Sequence, residues 1–433
     1  MKAVIQAGGK GTRVSSITGD KIPKPMLEVE DYPILYHQIK NLKENGITDI
    51  IIIVGHLGNV IKEYFKDGKN LGVNISYYDE DPNVPLGTAG ALYYLKDKLN
   101  DDFVFLLADV FININFNRMI KFHKDNDAKI TLFAHPNSHP YDSDLIVENN
   151  NIIEEFDSKT NDRTKYNYKN IVNAGIMIFS KEVLDLLKEE KKYNYEQDIV
   201  VPYIKEKKVY SYISTEYAKD MGTPERYNKV CEEYRSGLCE KKNLKNKQKA
   251  IFLDRDGTIN VYKPFLNKVE QLELIEKAAE AIKLINESEY LSIVVTNQPI
   301  IARGESTIEN LKEIHKRLET LLGEKGAYID KLYYCPHHPD KGFDGEIPEL
   351  KIKCDCRKPN IGMIKQAVED YNIDLDKSYI IGDSTLDIET GKNGNIKSIL
   401  VKTGQAGLDN KYNSEPTFIA EDLYGAVKKI LKK

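Results

Sequence analysis

The sequence predicts an α/β protein of two domains, and three observations carry that prediction. Two segments, Lys2 to Gly11 and Lys249 to Thr258, each begin with a buried-type strand that runs into a polar, glycine-containing turn. After each of them, short apolar runs alternate with stretches of helical periodicity. At roughly 100–200 residues per domain, a length of 433 residues corresponds to two or three domains.

In the first half, Lys2–Ala7, Ile50–Val54, Asn74–Tyr78, Phe103–Ala108, Ile130–Ala134 and Ala174–Phe179 read as strands. Helical patterns fall at about Ile34–Asn45, Val60–Lys66, Thr88–Lys98 and Asn117–Asn126. Several strands are apolar on both faces, as expected of a parallel sheet covered by helices. In the second half, Ile251–Leu253, Ser292–Val295, Tyr379–Ile381 and Ser398–Val401 read as strands, with helices at about Ala278–Ser288, Thr307–Leu322 and Gly362–Tyr371. Between the halves, Ser236 to Gln248 is rich in lysine and asparagine and reads as the end of a helix plus a linker. The expected organisation is a first domain over 1–240, a linker over 241–248 and a second domain over 249–433. In such sheets, ligands bind beyond the carboxyl ends of the strands.

Composition narrows the class. Hydrophobic residues make up 41% and charged residues 30%, which suits a soluble, globular chain with a sizeable core. A net charge of −5 gives no reason to expect nucleic acid or an anionic membrane as a partner. The short apolar run Ala3 to Ala7 ends in glycines and does not match a secretory signal. Runs such as Phe103 to Ala108 are strand-sized, far below the ~20 residues that span a bilayer. A cytoplasmic location is expected. Of the five cysteines, Cys335, Cys354 and Cys356 crowd into one segment, while Cys231 and Cys239 stand apart and read as packing or surface residues. In a reducing compartment, clustered cysteines more often bind metal than pair as disulfides.

The first strand ends in Ala7-Gly8-Gly9-Lys10-Gly11-Thr12-Arg13. Its glycines let backbone approach a ligand closely, and consecutive N–H groups can cradle phosphates. Ordinary tight turns also use glycines, but the downstream pattern sharpens the reading. Pro23-Lys24-Pro25-Met26 holds a lysine in a rigid frame, and Leu86-Gly87-Thr88-Ala89-Gly90-Ala91 is a second small-residue turn. Leu106-Leu107-Ala108-Asp109 ends a strand on a carboxylate, and Asp220-Met221-Gly222-Thr223-Pro224-Glu225-Arg226-Tyr227 places another before a helix.

These segments, in this order over about Met1 to Arg235, resemble the sugar-phosphate nucleotidyltransferase family. The resemblance implies that Gly8, Gly9, Gly11, Thr12 and Arg13 hold a nucleoside triphosphate, and that Lys24 contacts its α-phosphate. It implies that Gly87 lies under the base and that Asp109 and Asp220 share magnesium. Asn173, Gly175 and Lys159 resemble the sugar-binding and sugar-phosphate-binding positions. Ala108 stands where the family often has glycine. Attack of a sugar 1-phosphate on the α-phosphorus brings two anions together, so catalysis needs positioning and charge neutralisation rather than a covalent nucleophile.

In the second half, Asp254-Arg255-Asp256-Gly257-Thr258 puts two carboxylates at a strand end, where one can attack phosphorus and the other can protonate the leaving oxygen. Thr296-Asn297-Gln298, Arg357-Lys358-Pro359 and Gly382-Asp383-Ser384 follow. These four motifs resemble the haloacid dehalogenase superfamily from about Lys249 onward. The resemblance implies Asp254 as the nucleophile, and Asp256 as the general acid and base that also lends its backbone carbonyl to magnesium. It implies Asp383 as a magnesium ligand, with Thr296 and Lys358 on the transferring phosphoryl group and Asn297, Gln298 and Arg357 facing the substrate. Cys335, His337, Cys354 and Cys356 make a closed set for structural zinc, with His338 a neighbour.

The zinc loop narrows the resemblance to the subgroup of D,D-heptose bisphosphate and histidinol-phosphate phosphatases. Thr296-Asn297-Gln298 with Ile301-Ala302-Arg303-Gly304 looks closest to the heptose type, although Pro299-Ile300 replaces Ser-Gly. The implied architecture is a pair of three-layer, Rossmann-like domains: an N-terminal nucleotidyltransferase fold and a C-terminal haloacid dehalogenase-like fold with a zinc loop. The two heads fit consecutive steps: removal of the 7-phosphate of D-glycero-D-manno-heptose 1,7-bisphosphate, then nucleotidyl transfer to the 1-phosphate. GTP is expected by pathway analogy. An alternative keeps both chemistries with mannose or glucose 1-phosphate and another phosphatase substrate such as histidinol phosphate; a third makes one head a non-catalytic binding module. Expected partners are small molecules, with no nucleic acid and no membrane; a homo-oligomer is left open.

Overall fold

A run such as Ala3-Val4-Ile5, buried on both faces, has no solvent side and belongs in the middle of a covered sheet. The computed structural model places it there. It describes residues 1–9, 15–19, 21–81, 83–84 and 86–432. The chain divides into two compact units. The first comprises Met1–His135, Ile146–Asp157 and Asn173–Asn243; the second comprises Pro136–Leu145, Ser158–Val172 and Leu244–Lys433.

The first unit is built on β1 (Lys2–Ala7), β2 (Asp49–Val54), β3 (Asn74–Asp79), β4 (Phe103–Leu107), β5 (Val110–Asn113), β6 (Ile130–His135), β7 (Leu145–Asn149), β8 (Ile152–Asp157), β9 (Val172–Phe179), β10 (Val209–Ile213) and β11 (Tyr217–Asp220). Nine of them form one sheet in the order β3-β2-β1-β4-β9-β6-β10-β8-β7. Strands β3, β2, β1 and β4 run parallel, whereas β9 runs antiparallel to β4. The sheet is therefore mixed, not the parallel sheet expected. Strand β9 is as apolar as its neighbours, and apolarity does not encode direction. Strands β5 and β11 pair apart from the sheet, antiparallel. A core of Ile5, Ile52, Leu106, Ile176 and Ile178 packs against the helix Ile34–Glu44 through Leu35, Ile39 and Leu42. The segment expected as a helix at Thr88–Lys98 is a 3₁₀ stretch over Gly90–Lys98.

The second unit has a six-stranded sheet, all parallel. Its strands are β12 (Lys249–Leu253), β13 (Tyr290–Asn297), β14 (Lys331–Cys335), β15 (Tyr379–Gly382), β16 (Lys397–Val401) and β17 (Phe418–Ala420), in the order β14-β13-β12-β15-β16-β17. Helices Ala278–Asn286 and Ile308–Gly323 cover it through Ile282, Ile285, Ile314 and Leu318, with Leu423, Ala426 and Val427 in the same core. The central position of β12 brings Asp254 to the middle of the carboxyl edge, between the ends of β13 and β15.

The segment between the halves is more ordered than a solvated linker. Pro224–Arg235 and Leu238–Lys241 are helical, and Lys242, Asn243, Leu244 and Gln248 are buried. Leu244 joins a core with Phe252 and Ile293, and the Gln248 N–H donates to the Asn372 carbonyl at 3.0 Å. Lysine and asparagine content hid a few buried anchors. Among the described residues, no helix is long and apolar enough to cross a membrane.

Candidate active sites

In the first unit, Asp109 sits in the turn between β4 and β5, and Asp220 ends β11. The register pairs Asp220 with Val110, which brings the two acids together from segments 111 positions apart in the chain (220 − 109). Both reach the buried Lys24 ammonium, Asp109 at 2.8 Å and Asp220 at 3.6 Å. Lys24 opens a short 3₁₀ turn inside the Pro-Lys-Pro frame, which fixes the backbone from which it projects. Asp220 also accepts from Arg226 at 2.7 Å. Burial pushes the Asp220 carboxyl up, but Lys24 and Arg226 more than offset that and hold it below the usual range. Two carboxylates converging from different strands are a donor set that fits a hard divalent cation. Gln38, fully buried, donates to the Leu107 and Val110 carbonyls at 2.9 and 2.8 Å and so clamps the turn that carries Asp109.

Other expected positions divide. Gly8 and Gly9 follow β1, while Gly11, Thr12 and Arg13 lie outside the described residues. Gly87 has φ +77°, and a Cβ there would meet the Tyr193 carbonyl oxygen at 2.4 Å. Asn173 accepts from the Gly175 N–H at 3.0 Å and donates to the Tyr195 hydroxyl at 3.3 Å. Lys159 is exposed, its N–H bonded to Asp144 at 2.7 Å, in a segment that groups with the second unit rather than with Asn173 and Gly175. Arg226 and Gln38 were missed. Arg226 stood in the quoted Asp-Met-Gly-Thr-Pro-Glu-Arg-Tyr stretch, one turn beyond its Thr223 cap, whereas Gln38 is one of several polar residues in an amphipathic helix and left no signal of its own.

In the second unit, Lys358 Nζ lies 2.8 Å from Asp254 and 2.6 Å from Asp387. Asp254, Asp383 and Asp387 each offer an oxygen, all within 4.8 Å of one another. Gly257 and Gly404 make room for this cluster: a Cβ on either would lie 2.1 Å from Asp383 Oδ2. Burial pushes the Asp254 carboxyl up to about 6, Lys358 offsetting part of that. Burial, with repulsion from Asp254 and Asp387, pushes Asp383 up to about 8. Asp254 and Asp383, both pushed up by burial and by neighbouring carboxylates, fit a divalent cation that would relieve the repulsion. Asp256 is held differently. Arg255, Asn260 and Gln298 bond its oxygens at 2.7–3.0 Å. Burial raises its pKa, but Arg255 and these bonds more than offset that and leave it below the usual range.

Three residues expected at the ligand have other partners. Gln298, buried, accepts from Arg255 and donates to Asp256 and to Thr296 Oγ1, so its amide orients the acid. Asn297 brackets the Lys358 backbone, accepting its N–H at 3.0 Å and donating to its carbonyl at 3.1 Å. Arg357 donates to the His337 carbonyl at 3.1 Å. Thr296 is buried at the end of β13. Asp387 was missed, although Ser384-Thr385-Leu386-Asp387 reads as a capping box, which the structure contains. Asp387→Asn removes a charge that aims Lys358, and should lower kcat for phosphate release by about 10²-fold, read in a steady-state assay.

Cys335, His337, Cys354 and Cys356 converge with all donor atoms within 4.8 Å, at separations such as 3.1 Å for Cys335–Cys356 and 3.3 Å for His337–Cys356. Burial pushes the Cys335 and Cys356 thiols up, which a bound cation would offset. Three sulfurs and one imidazole nitrogen suit a closed tetrahedral site.

Comparison with known proteins agrees with this division. The family model for nucleotidyl transferases matches residues 2–237, and the HAD-hydrolase-like model matches residues 355–426. The D-glycero-beta-D-manno-heptose-1,7-bisphosphate 7-phosphatase of Haemophilus ducreyi is 38% identical over 161 residues, 37% of this chain and 86% of its own. The D-glycero-alpha-D-manno-heptose-1,7-bisphosphate 7-phosphatase of Photorhabdus laumondii is 40% identical over 173 residues, 40% of this chain and 89% of its own. Among solved structures, HddC from Yersinia pseudotuberculosis aligns with a TM-score of 0.46 and 23% identity, covering 54% of this chain and 99% of its own.

Proposed function

The chain belongs to the nucleotidyl transferase family through its N-terminal half and to the heptose-bisphosphate 7-phosphatase family through its C-terminal part, and from that premise we propose two consecutive reactions on one sugar. The phosphatase head, in 249–433, removes the 7-phosphate of D-glycero-D-manno-heptose 1,7-bisphosphate. The nucleotidyltransferase head, in 1–240, transfers a nucleotidyl group, GMP from GTP, to the resulting heptose 1-phosphate. The observation that carries the reading is the joining of these two families in one chain, since the product of one reaction is the acceptor of the other.

In the phosphatase head, an Asp254 oxygen attacks the 7-phosphorus, the P–O7 bond breaks, and Asp256, which takes up a proton when the anionic substrate phosphate settles beside its carboxylate, gives that proton to the departing oxygen. Asp256 then takes a proton from water, whose oxygen attacks the aspartyl-phosphate and releases phosphate. Lys358, 2.8 Å from Asp254, balances charge throughout. Magnesium held by Asp254, Asp383 and the Asp256 carbonyl would neutralise the phosphate oxygens. In the other head, an oxygen of the sugar phosphate attacks the α-phosphorus and pyrophosphate leaves. Lys24 neutralises charge there, Arg13 adds to it, and Asp109 and Asp220 would hold magnesium. The substrates are small molecules of a cytoplasmic pathway, with no nucleic acid or membrane partner.

The test is a phosphate-release assay with magnesium on both anomers of heptose 1,7-bisphosphate, histidinol phosphate and hexose bisphosphates. Preference for one heptose anomer supports the reading and names it; robust turnover of another phosphate with little on either heptose refutes the substrate. Zinc is our assignment for the cysteine–histidine set. Its removal, or Cys356→Ser, should cost at least about 2 kcal/mol and lower the melting midpoint by ~5 °C or more. An unchanged melting curve after verified zinc removal would reject a structural role.

A further inference from the structure

Arg255 stands between Asp254 and Asp256, and none of its surface reaches solvent. A guanidinium is almost never fully buried unless its charge is paired. Here the partner is Asp256. One nitrogen, Nη2, lies 2.9 Å from Asp256 Oδ1 and 2.7 Å from Oδ2, and also reaches Gln298 Oε1 at 3.2 Å. Asn260 Nδ2 donates to Oδ1 and Gln298 Nε2 to Oδ2, each at 3.0 Å. Among the described residues, Asn260 and Gln298 each hold one oxygen of Asp256, and Arg255 holds both.

Behind the guanidinium is His315, a residue the mechanism has not used. It comes from the helix Ile308–Gly323 and is buried. Arg255 and Asp256 both act on its imidazole. Burial first, then the Arg255 charge, holds the imidazole well below its usual pKa and therefore neutral. The Tyr334 ring packs on it, 5.5 Å between centroids. Among the described residues, Arg255 Nε and Nη1 are buried without an acceptor, and His315 Nε2 is buried without a partner. A neutral imidazole has one nitrogen lone pair to offer, so the unused donors and the unused nitrogen complement one another.

We propose that Arg255 is a positioning residue for Asp256, supported from behind by His315, and keeps that carboxyl in place through both halves of phosphate release. Asp256 must carry a proton when the sugar oxygen departs, and must take one from water when the aspartyl-phosphate is hydrolysed. A donor on a single oxygen would be displaced when that oxygen takes the proton, and the carboxyl could then turn. With Nη2 across both oxygens, whichever one is protonated leaves the other bonded, so the orientation survives the change of protonation state. A lysine ammonium is a point charge without a fixed plane and does not hold a carboxyl in this way. The inference rests on the phosphatase reading of this unit.

The experiment uses the full chain with magnesium. Phosphate release is measured on the ester of the substrate panel that the native chain hydrolyses fastest, and beryllofluoride binding is measured by fluorine NMR. Beryllofluoride on Asp254 imitates the aspartyl-phosphate; it needs the cation and Lys358 but no proton transfer. Arg255→Lys should lower kcat ~10²-fold with KM within about threefold of native, while beryllofluoride binds as tightly as to the native chain. His315→Leu should lower kcat ~10-fold, and His315→Gln, whose amide restores a hydrogen-bonding partner, should recover most of that. A native-like kcat in a folded Arg255→Lys protein, or beryllofluoride affinity that falls in parallel with kcat, would overturn the inference. So would His315→Gln no better than His315→Leu, and this pair decides the matter should Arg255→Lys fail to fold. A native chain that neither releases phosphate from any ester of the panel nor binds beryllofluoride would overturn the phosphatase reading itself.

Discussion

Asp254→Asn should reduce phosphate release by at least about 10⁴-fold while nucleotidyl transfer proceeds at the native rate. The size follows from what is lost. The amide keeps the shape of the carboxylate but is a very poor nucleophile, so the aspartyl-phosphate does not form. It also leaves Lys358 paired with Asp387 alone and removes one of the three acids that converge at the end of β12. The nucleotidyltransferase activity is read on heptose 1-phosphate supplied directly, so the missing first step does not mask it. Loss of both activities in a folded protein would count against independent heads.

Asp109→Asn should do the reverse, lowering pyrophosphate release by roughly 10³-fold and sparing phosphate release. Asp109 and Asp220 meet at Lys24 because β5 and β11 pair in one register. Without the Asp109 charge, the attacking and leaving phosphates lose the cation that two carboxylates would hold between them. Lys24 is then freed from its 2.8 Å partner, and its ammonium alone cannot replace that cation. Raised magnesium should restore part of the rate if the loss is one of metal affinity.

Much of this was legible in the chain because the chemistry sits where strands end. Asp109, Asp254 and Asp383 each follow an apolar strand whose limits the sequence marks to within a residue or two, and the structure puts each at a carboxyl edge. The cysteine–histidine set was visible from ligand type alone, and its four donor atoms do converge. What escaped were residues whose role depends on a partner far off in sequence. Gln38 clamps carbonyls 69 and 72 positions away, and Asp387 meets Lys358 across 29. Gln298 and Asn297 were noticed, but only as ligand contacts. Being polar at a strand end suits a ligand contact, and only three-dimensional packing reveals that Asp256 and the Lys358 backbone take up their amides. The direction of β9 was hidden for a similar reason: a strand buried on both faces reads alike in either sense.

The most direct test of the two-step account is to give the full chain heptose 1,7-bisphosphate, GTP and magnesium together and follow the mixture by phosphorus NMR. The account requires one phosphate and one pyrophosphate released per sugar, with the heptose 1-phosphate signal rising first and then giving way to a nucleotide-sugar diphosphate. Phosphate release that stops at heptose 1-phosphate, with GTP and every other nucleotide left intact, would contradict it.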